Sequence, residues 1–293
     1  MARLAYLGTP AMAVPPLRAL VDAGHDVALC VTRPDRRRGR RAAATPSPVS
    51  QAAHSLGIRV THDLADLEGA EVELGVVVAY GRIIPAAVLE RVPMCNLHFS
   101  LLPRWRGAAP LERAILAGDR ETGVCVMKVE EGLDTGPVYL RRTFGLDDEI
   151  DLASLRAALV EIGSELLVEA LAHGVGAMPT PVPQIGAATT AAKLDHEDFH
   201  LDWDASARQL QRVVRLGRAW TTFRGKRLGV LKAAVEPEGG PPAPPGTLRG
   251  ASVATADGSL VLLQVQPESR MAMSAQDWLR GIRPMQSERL GSG

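Results

Sequence analysis

The sequence predicts an α/β protein, with a mostly parallel, doubly wound sheet followed by a small antiparallel β-barrel. Three observations carry this. Short apolar segments alternate with helical ones through the first 172 residues, as repeated βα units do. The run Gly75–Ala79 (GVVVA) has no polar side, as a strand covered on both faces requires. Beyond residue 192 the segments become short and are split by glycine turns at Arg224-Gly225-Lys226 and Ala256-Asp257-Gly258, a pattern that suits a small antiparallel barrel.

In order, Leu4–Leu7 reads as the first strand, and Gly8-Thr9-Pro10 turns into a helix over 11–22 closed by Gly24. Val27–Thr32 is a second strand, 33–48 a long basic loop, 49–56 a helix and 58–61 a third strand. After the GVVVA strand, a short helix at 85–90 leads to a strand from Met94 to Phe99. Pro110 suits the first position of a helix through Ala117, with Gly118 past its end. Strands at 124–129 and 138–143 flank a glycine-bounded turn, and 152–172 is a long amphipathic helix. The stretch 174–192 is rich in Gly, Ala, Pro and Thr without periodicity, as a linker is. A helix at 205–216 and strands at 220–223, 228–233, 247–248, 252–254 and 260–265 complete the chain. The expected division is a catalytic domain at 1–175, a linker at 176–192 and a barrel at 193–286.

Composition narrows the class. With 293 residues and a formal net charge of zero, no global field argues for a polyanion. Cys30, Cys95 and Cys125 sit in apolar strands with no pairing pattern, which fits a reducing cytoplasm. The opening at Met1 reads as a strand rather than a secretory leader, and no stretch approaches a membrane span. Nothing suggests an obligate dimer, so a monomer is expected. Cys95 and His98 resemble a metal half-site, but strand phase sends them to opposite faces and no second half exists, so no metal is expected. Gly8-Thr9-Pro10 lacks the Gly-x-Gly-x-x-Gly spacing of a pyrophosphate turn, which disfavours a nicotinamide dehydrogenase.

The chemistry concentrates at 96–110, NLHFSLLPRWRGAAP, and at 132–136, GLDTG. Alternation along the strand puts Asn96 and His98 on one face and Cys95, Leu97 and Phe99 on the other. An amide donor and an imidazole then stand side by side at a strand end, where open α/β sheets carry ligands. Asp134, in its glycine-flanked turn, is free to reach them. Two donors for a developing oxyanion and one acid to tune the imidazole suit acyl transfer. The other histidines (His25, His54, His62, His173, His196, His200) have no partner pattern and read as surface. Trp105 either plugs the domain junction or lines the site.

Two basic arrays stand apart from that motif. Residues 33–41 hold six arginines against one acid, either a solvated face or a flexible arm for phosphates. Arg208, Arg212 and Arg215 lie on one helix face, in a stretch from Ala205 to Lys232 with eight basic residues and no acid. Two local patches on a neutral chain favour one extended polyanion, such as an RNA backbone, over a solubilising surface.

Gly-Thr-Pro at 8–10, Pro-Asp-Arg at 34–36, Pro-Ser-Pro-Val at 46–49, Val-Val-Ala-Tyr-Gly at 77–81 and the two motif segments together resemble the folate-dependent formyltransferases. The Arg-Trp-Arg-Gly-Ala-Ala-Pro extension, Asp202-Trp203 and Met273–Asp277 are similar to the branch of that family that acts on methionyl-tRNA. The resemblance implies a Rossmann-like formyltransferase domain followed by an oligonucleotide-binding (OB)-like barrel. It also implies transfer of the formyl group of 10-formyltetrahydrofolate to the amino group of initiator methionyl-tRNA. Asn96, His98 and Asp134 would be the catalytic set, and Ser100, Leu101, Leu102 and Pro103 would line the folate site. Arg36, Arg37, Arg38, Arg40, Arg41, Arg208, Arg212 and Arg215 would face the tRNA. The chain departs from the family pattern in its arginine-rich 33–41 loop, a shortened connection between Thr61 and Gly75, and a trimmed segment after Arg215 that lacks an Asn-Pro.

Overall fold

The structure, a computed structural model, describes residues 1–37, 44–236, 243–285 and 288–291. Its contacts divide into two units: Met1–Leu111 with Glu121–Gly145 and Arg156–Ala192, and Glu112–Arg120 with Leu146–Leu155 and Lys193–Gly293.

The first unit is built on a seven-stranded sheet. Its elements begin with β1 (Arg3–Gly8), α1 (Val14–Asp22), β2 (Asp26–Val31), β3 (Arg36–Arg37), β4 (Ala44–Thr45), α2 (Pro48–Ser55) and β5 (Arg59–Thr61). They continue with β6 (Leu74–Val78), α3 (Ala86–Leu89), β7 (Met94–His98), β8 (Arg106–Gly107), α4 (Pro110–Ala117), β9 (Glu121–Lys128), β10 (Val138–Gly145), α5 (Leu152–Leu171) and β11 (Thr190–Ala191). The order is β10-β9-β7-β6-β1-β2-β5, parallel from β5 through to β7 and antiparallel for β9 and β10. From β1 the chain winds outward through β2 and β5, then returns to the other side of β1 as β6 and β7. The direction reverses between β1 and β6, the switch point at which such sheets open a crevice.

Both faces are covered, so the strands are apolar at successive positions. Ala5, Leu7, Leu29, Val31, Val77 and Met94 share one face, on which Leu64, Leu67, Val88 and Leu89 pack. Leu97, of opposite parity, lies against Gly163 of α5 on the other face. The sequence expectation of a mostly parallel sheet holds. The first helix starts late: 11–13 is a 3-10 turn, and α1 proper begins at Val14 with prolines in its first turn. The basic loop also carries a two-residue pairing, Arg36 opposite Thr45 and Arg37 opposite Ala44.

The second unit holds α6 (Ala207–Arg215), β12 (Trp220–Phe223), β13 (Lys226–Glu236), β14 (Leu248–Arg249), β15 (Ser252–Ala254), β16 (Ser259–Pro267), β17 (Met273–Ser274) and α7 (Ala275–Ile282). Its sheet runs β12-β13-β16-β15-β14, antiparallel throughout, with β17 on β16. Residues 288–291 join its two ends. Leu248 N–H donates to Glu288 O, Leu290 N–H to Gly246 O and Gly291 N–H to Thr222 O. Leu290 is buried in the core with Trp203, Phe223 and Trp278. A carboxyl-terminal segment for which the sequence suggests no element thus bridges β14 to β12.

The sequence reading also passes over α7. Its signal is local: Ser274 accepts from Asp277 N–H at 3.1 Å as an N-cap, and Ala275 and Trp278, one turn apart, are buried. Residues 112–120 and 146–155, expected with the first domain, group with the second unit. Arg113 pairs with Asp198 at 3.2 Å, and α6 side chains bond carbonyls in both segments.

Candidate active site

β7 lies between β6 and β9, with Asn96 opposite Val77 on one side and Met127 on the other. Its backbone groups are used in the ladder, so its polar side chains work beyond the strand. Asn96 and His98 share a face, as alternation requires, and His98 is only 5% exposed. β9 and β10, the next two strands of the same sheet, deliver the Asp134 turn to the same place.

Asp134 adopts φ +51°, the left-handed region, which aims its carboxylate back at β7. Asn96 Nδ2 donates to Asp134 Oδ1 at 3.4 Å. His98 Nδ1 stands 3.6 Å from Asp134 Oδ2, and Gly107 N–H donates to that same oxygen at 2.8 Å. Amide, imidazole and carboxylate therefore converge, with the carboxylate at the centre. Two glycines permit it. A Cβ on Gly136 would lie 2.0 Å from Lys128 O, and one on Gly107, at φ +121°, would lie 2.8 Å from Ala191 O.

The loop after β7 holds the imidazole from the other side. His98 Nε2 is 2.9 Å from Trp105 O. A carbonyl oxygen only accepts, so Nε2 carries a proton and Nδ1 is the edge turned to Asp134. Trp105 is itself left-handed, at φ +62°, its N–H donating to Thr189 Oγ at 2.8 Å while the Arg104 guanidinium lies over its ring. Trp105 thus frames the site through its backbone, a role that its side chain does not announce.

The residues expected to line a folate site divide. Ser100 is buried and donates to Arg104 O at 2.6 Å, and Leu102 is buried with Cys125, Met127 and Val138. Leu101 and Pro103 are half-buried and keep side-chain surface. Ser100 and Leu102 are thus taken up in the loop's own packing, whereas Leu101 and Pro103 keep accessible surface.

The basic arrays fare unevenly. Arg38, Arg40 and Arg41 lie outside the described residues, and Arg36 and Arg37 are described by their backbone pairing alone. On α6 the expectation of one open arginine face needs correction. Arg215 is 6% exposed, donating from Nε to Ile150 O at 2.9 Å and from Nη2 to Asp147 O at 2.7 Å. The buried arc of α6 runs through Ala207, Leu210, Gln211 and Val214, and Arg215 falls at its edge, so the helix pulls it inward. Arg212 reaches Ala117 O at 3.4 Å, while Arg208 is exposed and 4.0 Å from Asp148 Oδ2.

Burial corrects one further expectation and sets the state of the thiols. His25 is buried, accepts from Ala2 N–H at 3.3 Å, and has its pKa lowered by desolvation, so it is no surface residue. Burial pushes the Cys30 and Cys95 thiols up to about 12 and Cys125 to about 11, which leaves no thiolate nucleophile at neutral pH. Among the described residues, no three His, Cys, Asp or Glu side chains group as metal ligands, and no helix is long and apolar enough to cross a membrane.

Comparison with known proteins gives the family. The formyl transferase family model matches residues 2–171 and the formyl transferase C-terminal domain model residues 193–283. A methionyl-tRNA formyltransferase of Dinoroseobacter shibae is 42% identical over 295 residues, covering 96% of this chain and 97% of the relative. Another, of Thermus thermophilus, is 43% identical over 308 residues, covering 99% of both. Among solved structures, an N-formyltransferase from Helicobacter canadensis in complex with folinic acid and dTDP-3-aminofucose superposes with a TM-score of 0.70 at 15% identity, over 91% of this chain and all of that one. HypX from Aquifex aeolicus in complex with tetrahydrofolic acid gives 0.64 at 19% identity, over 98% of this chain; the chain spans about half the length of HypX (48%). Those structural likenesses concern the fold, whereas the full-length identities and the matched models carry the family. On that ground this chain, with its Asn96–His98–Asp134 cluster at the end of β7, belongs to the formyl transferase family.

Proposed function

We propose that the protein transfers the formyl group of 10-formyltetrahydrofolate to the free amino group of initiator methionyl-tRNA. The observation that carries this is the convergence of Asn96, His98 and Asp134 within 3.6 Å. The methionyl-tRNA formyltransferases that match nearly the whole chain support the acceptor.

The amine nitrogen attacks the formyl carbon, and the carbonyl electrons move onto oxygen. Asn96 Nδ2 donates to that oxyanion. With Nε2–H held by Trp105 O, His98 acts as the imidazolium that the neighbouring Asp134 charge favours, donating through Nδ1 to the oxyanion or to the departing folate nitrogen. Asp134 takes the proton that the amine sheds, directly or through a water. The bond from the formyl carbon to the folate nitrogen then breaks as the carbonyl re-forms, and that nitrogen takes the Nδ1 proton of His98. Asp134 passes the amine's proton on to His98, which restores both groups. Leu101 and Pro103 bound the donor's side of the site.

On this reading 1–175 performs the chemistry, 176–192 links, and 193–286 binds RNA. Arg36, Arg37, Arg38, Arg40 and Arg41 contact the tRNA together with Arg208 and Arg212, without Arg215. The protein acts as a cytoplasmic monomer, and three unpaired, buried thiols fit that compartment.

The test is a formylation assay with methionyl-tRNA, free methionine and an amino-sugar nucleotide as competing acceptors. Methionyl-tRNA is expected to be formylated and the other two left unreacted. Equal turnover on free methionine, or preference for the sugar, would overturn the proposed acceptor.

A further inference from the structure

The residues between α5 and β11 have no periodicity, yet one side chain among them joins both loops of the site. Gln184 Nε2 donates to Asp134 O and to Gly136 O, each at 2.8 Å. Its Oε1 accepts from Arg106 Nε at 3.0 Å and Nη2 at 2.7 Å. Both amide protons and the oxygen are thus engaged. Arg106 precedes Gly107, whose N–H holds the Asp134 carboxylate. Gln184 therefore ties the backbone of the Asp134 turn to the loop that grips the same residue's side chain.

This placement does not depend on the Gln184 side chain itself. Val182 exchanges both backbone hydrogen bonds with Val138, at 2.8 and 2.9 Å. Downstream, β11 pairs with β8, and Ala108 N–H donates to Ala191 O at 2.9 Å. Gln184 sits between two anchored points. Asp134, a non-glycine residue at φ +51°, sits in the left-handed region, and its carbonyl and that of Gly136 are the groups that Gln184 holds.

We infer that Gln184 is a positioning residue: its amide sets the Asp134 turn, and so the carboxylate, against Asn96 and His98. The inference rests on the reaction proposed above. Displacing a catalytic group by about 1 Å can cost on the order of a hundredfold in rate. Gln184→Met removes every hydrogen bond at nearly constant length, and Gln184→Glu keeps the Arg106 contact but loses both donors.

Steady-state formylation of methionyl-tRNA is measured for both variants, alone and combined with Asp134→Asn. Each single variant is expected to lower kcat by about tenfold to a hundredfold, with KM for either substrate within about twofold and the protein still fully folded at the assay temperature. In the Asp134→Asn background, Gln184→Met should add nothing, because both changes act through one carboxylate. A kcat within about twofold of wild type in both variants would overturn the inference. So would a full, additive loss in the double variant, or a loss confined to KM. Absence of transfer by the wild-type protein would count against the proposed reaction instead.

Discussion

β7 and α6 each carry a row of functional-looking side chains, and the fold uses the two rows in opposite ways. On β7 the backbone is saturated by β6 and β9, so Asn96 and His98 spend their polar atoms on Asp134 and the loop beyond the strand. On α6 the arginines meet carbonyls that lack helical partners. Ala117 O closes α4, while Asp147 O and Ile150 O precede α5. Arg215 and Arg212 satisfy those carbonyls, and Arg208 alone of the three remains an exposed cation. Counting charges on a helix therefore says how much positive charge is present, not how much is left for a partner.

Asp134→Asn should break the contrast most sharply. It keeps an acceptor for Gly107 N–H but removes the charge, and is expected to lower kcat by about two to three orders of magnitude with the fold intact. Near-normal turnover would mean that the β7 cluster is as architectural as Arg215. Arg215→Met tests the other side. It leaves two carbonyls without a charged donor and should destabilise the second unit by about 2 kcal/mol, read as a lower melting temperature, with turnover preserved well below the transition. An unchanged melting temperature with weakened RNA binding would return Arg215 to the binding face. Arg208→Ala should do the reverse: the melting temperature holds, tRNA binding weakens a few-fold, and the slope of log affinity against log salt falls by about one.

The smallest effect concerns the bridging segment. Arg224 donates to both oxygens of Glu288, from Nε at 2.5 Å and Nη2 at 2.9 Å, and holds that carboxyl below its usual range. A depressed folded value adds stability above the unfolded carboxylate value of about 4.3. That stability is lost as the pH falls through the lower folded value. Glu288→Gln should therefore lower the melting temperature slightly at neutral pH, by less than Arg215→Met, and by progressively less as the pH falls below the unfolded value of about 4.3. An effect that does not shrink as the pH falls would show that the pair contributes through packing.

Much of the first unit is legible along the chain because its signals are local. A parallel strand buried on both faces must be apolar at every position, as Val76, Val77 and Val78 are. Strand phase alone puts Asn96 and His98 together, and glycines at 132 and 136 mark the turn that delivers Asp134. α7 is equally local but too short to show a long periodic run, although its Ser274 cap and buried Trp278 are both present in the sequence.

What the sequence by itself determines is thus the order of the elements, the parity of the β7 side chains and the residue types available for acyl transfer. Tertiary structure alone decides the rest. Gln184 gains its four hydrogen bonds because an aperiodic segment is carried back across the site by pairing with Val138 and β8. Trp105 acts through a carbonyl, Arg215 turns inward, and residues 288–291 join β14 to β12. Each depends on a partner distant in the chain or on a loop's path, and local propensity holds no record of where such a backbone carbonyl will lie.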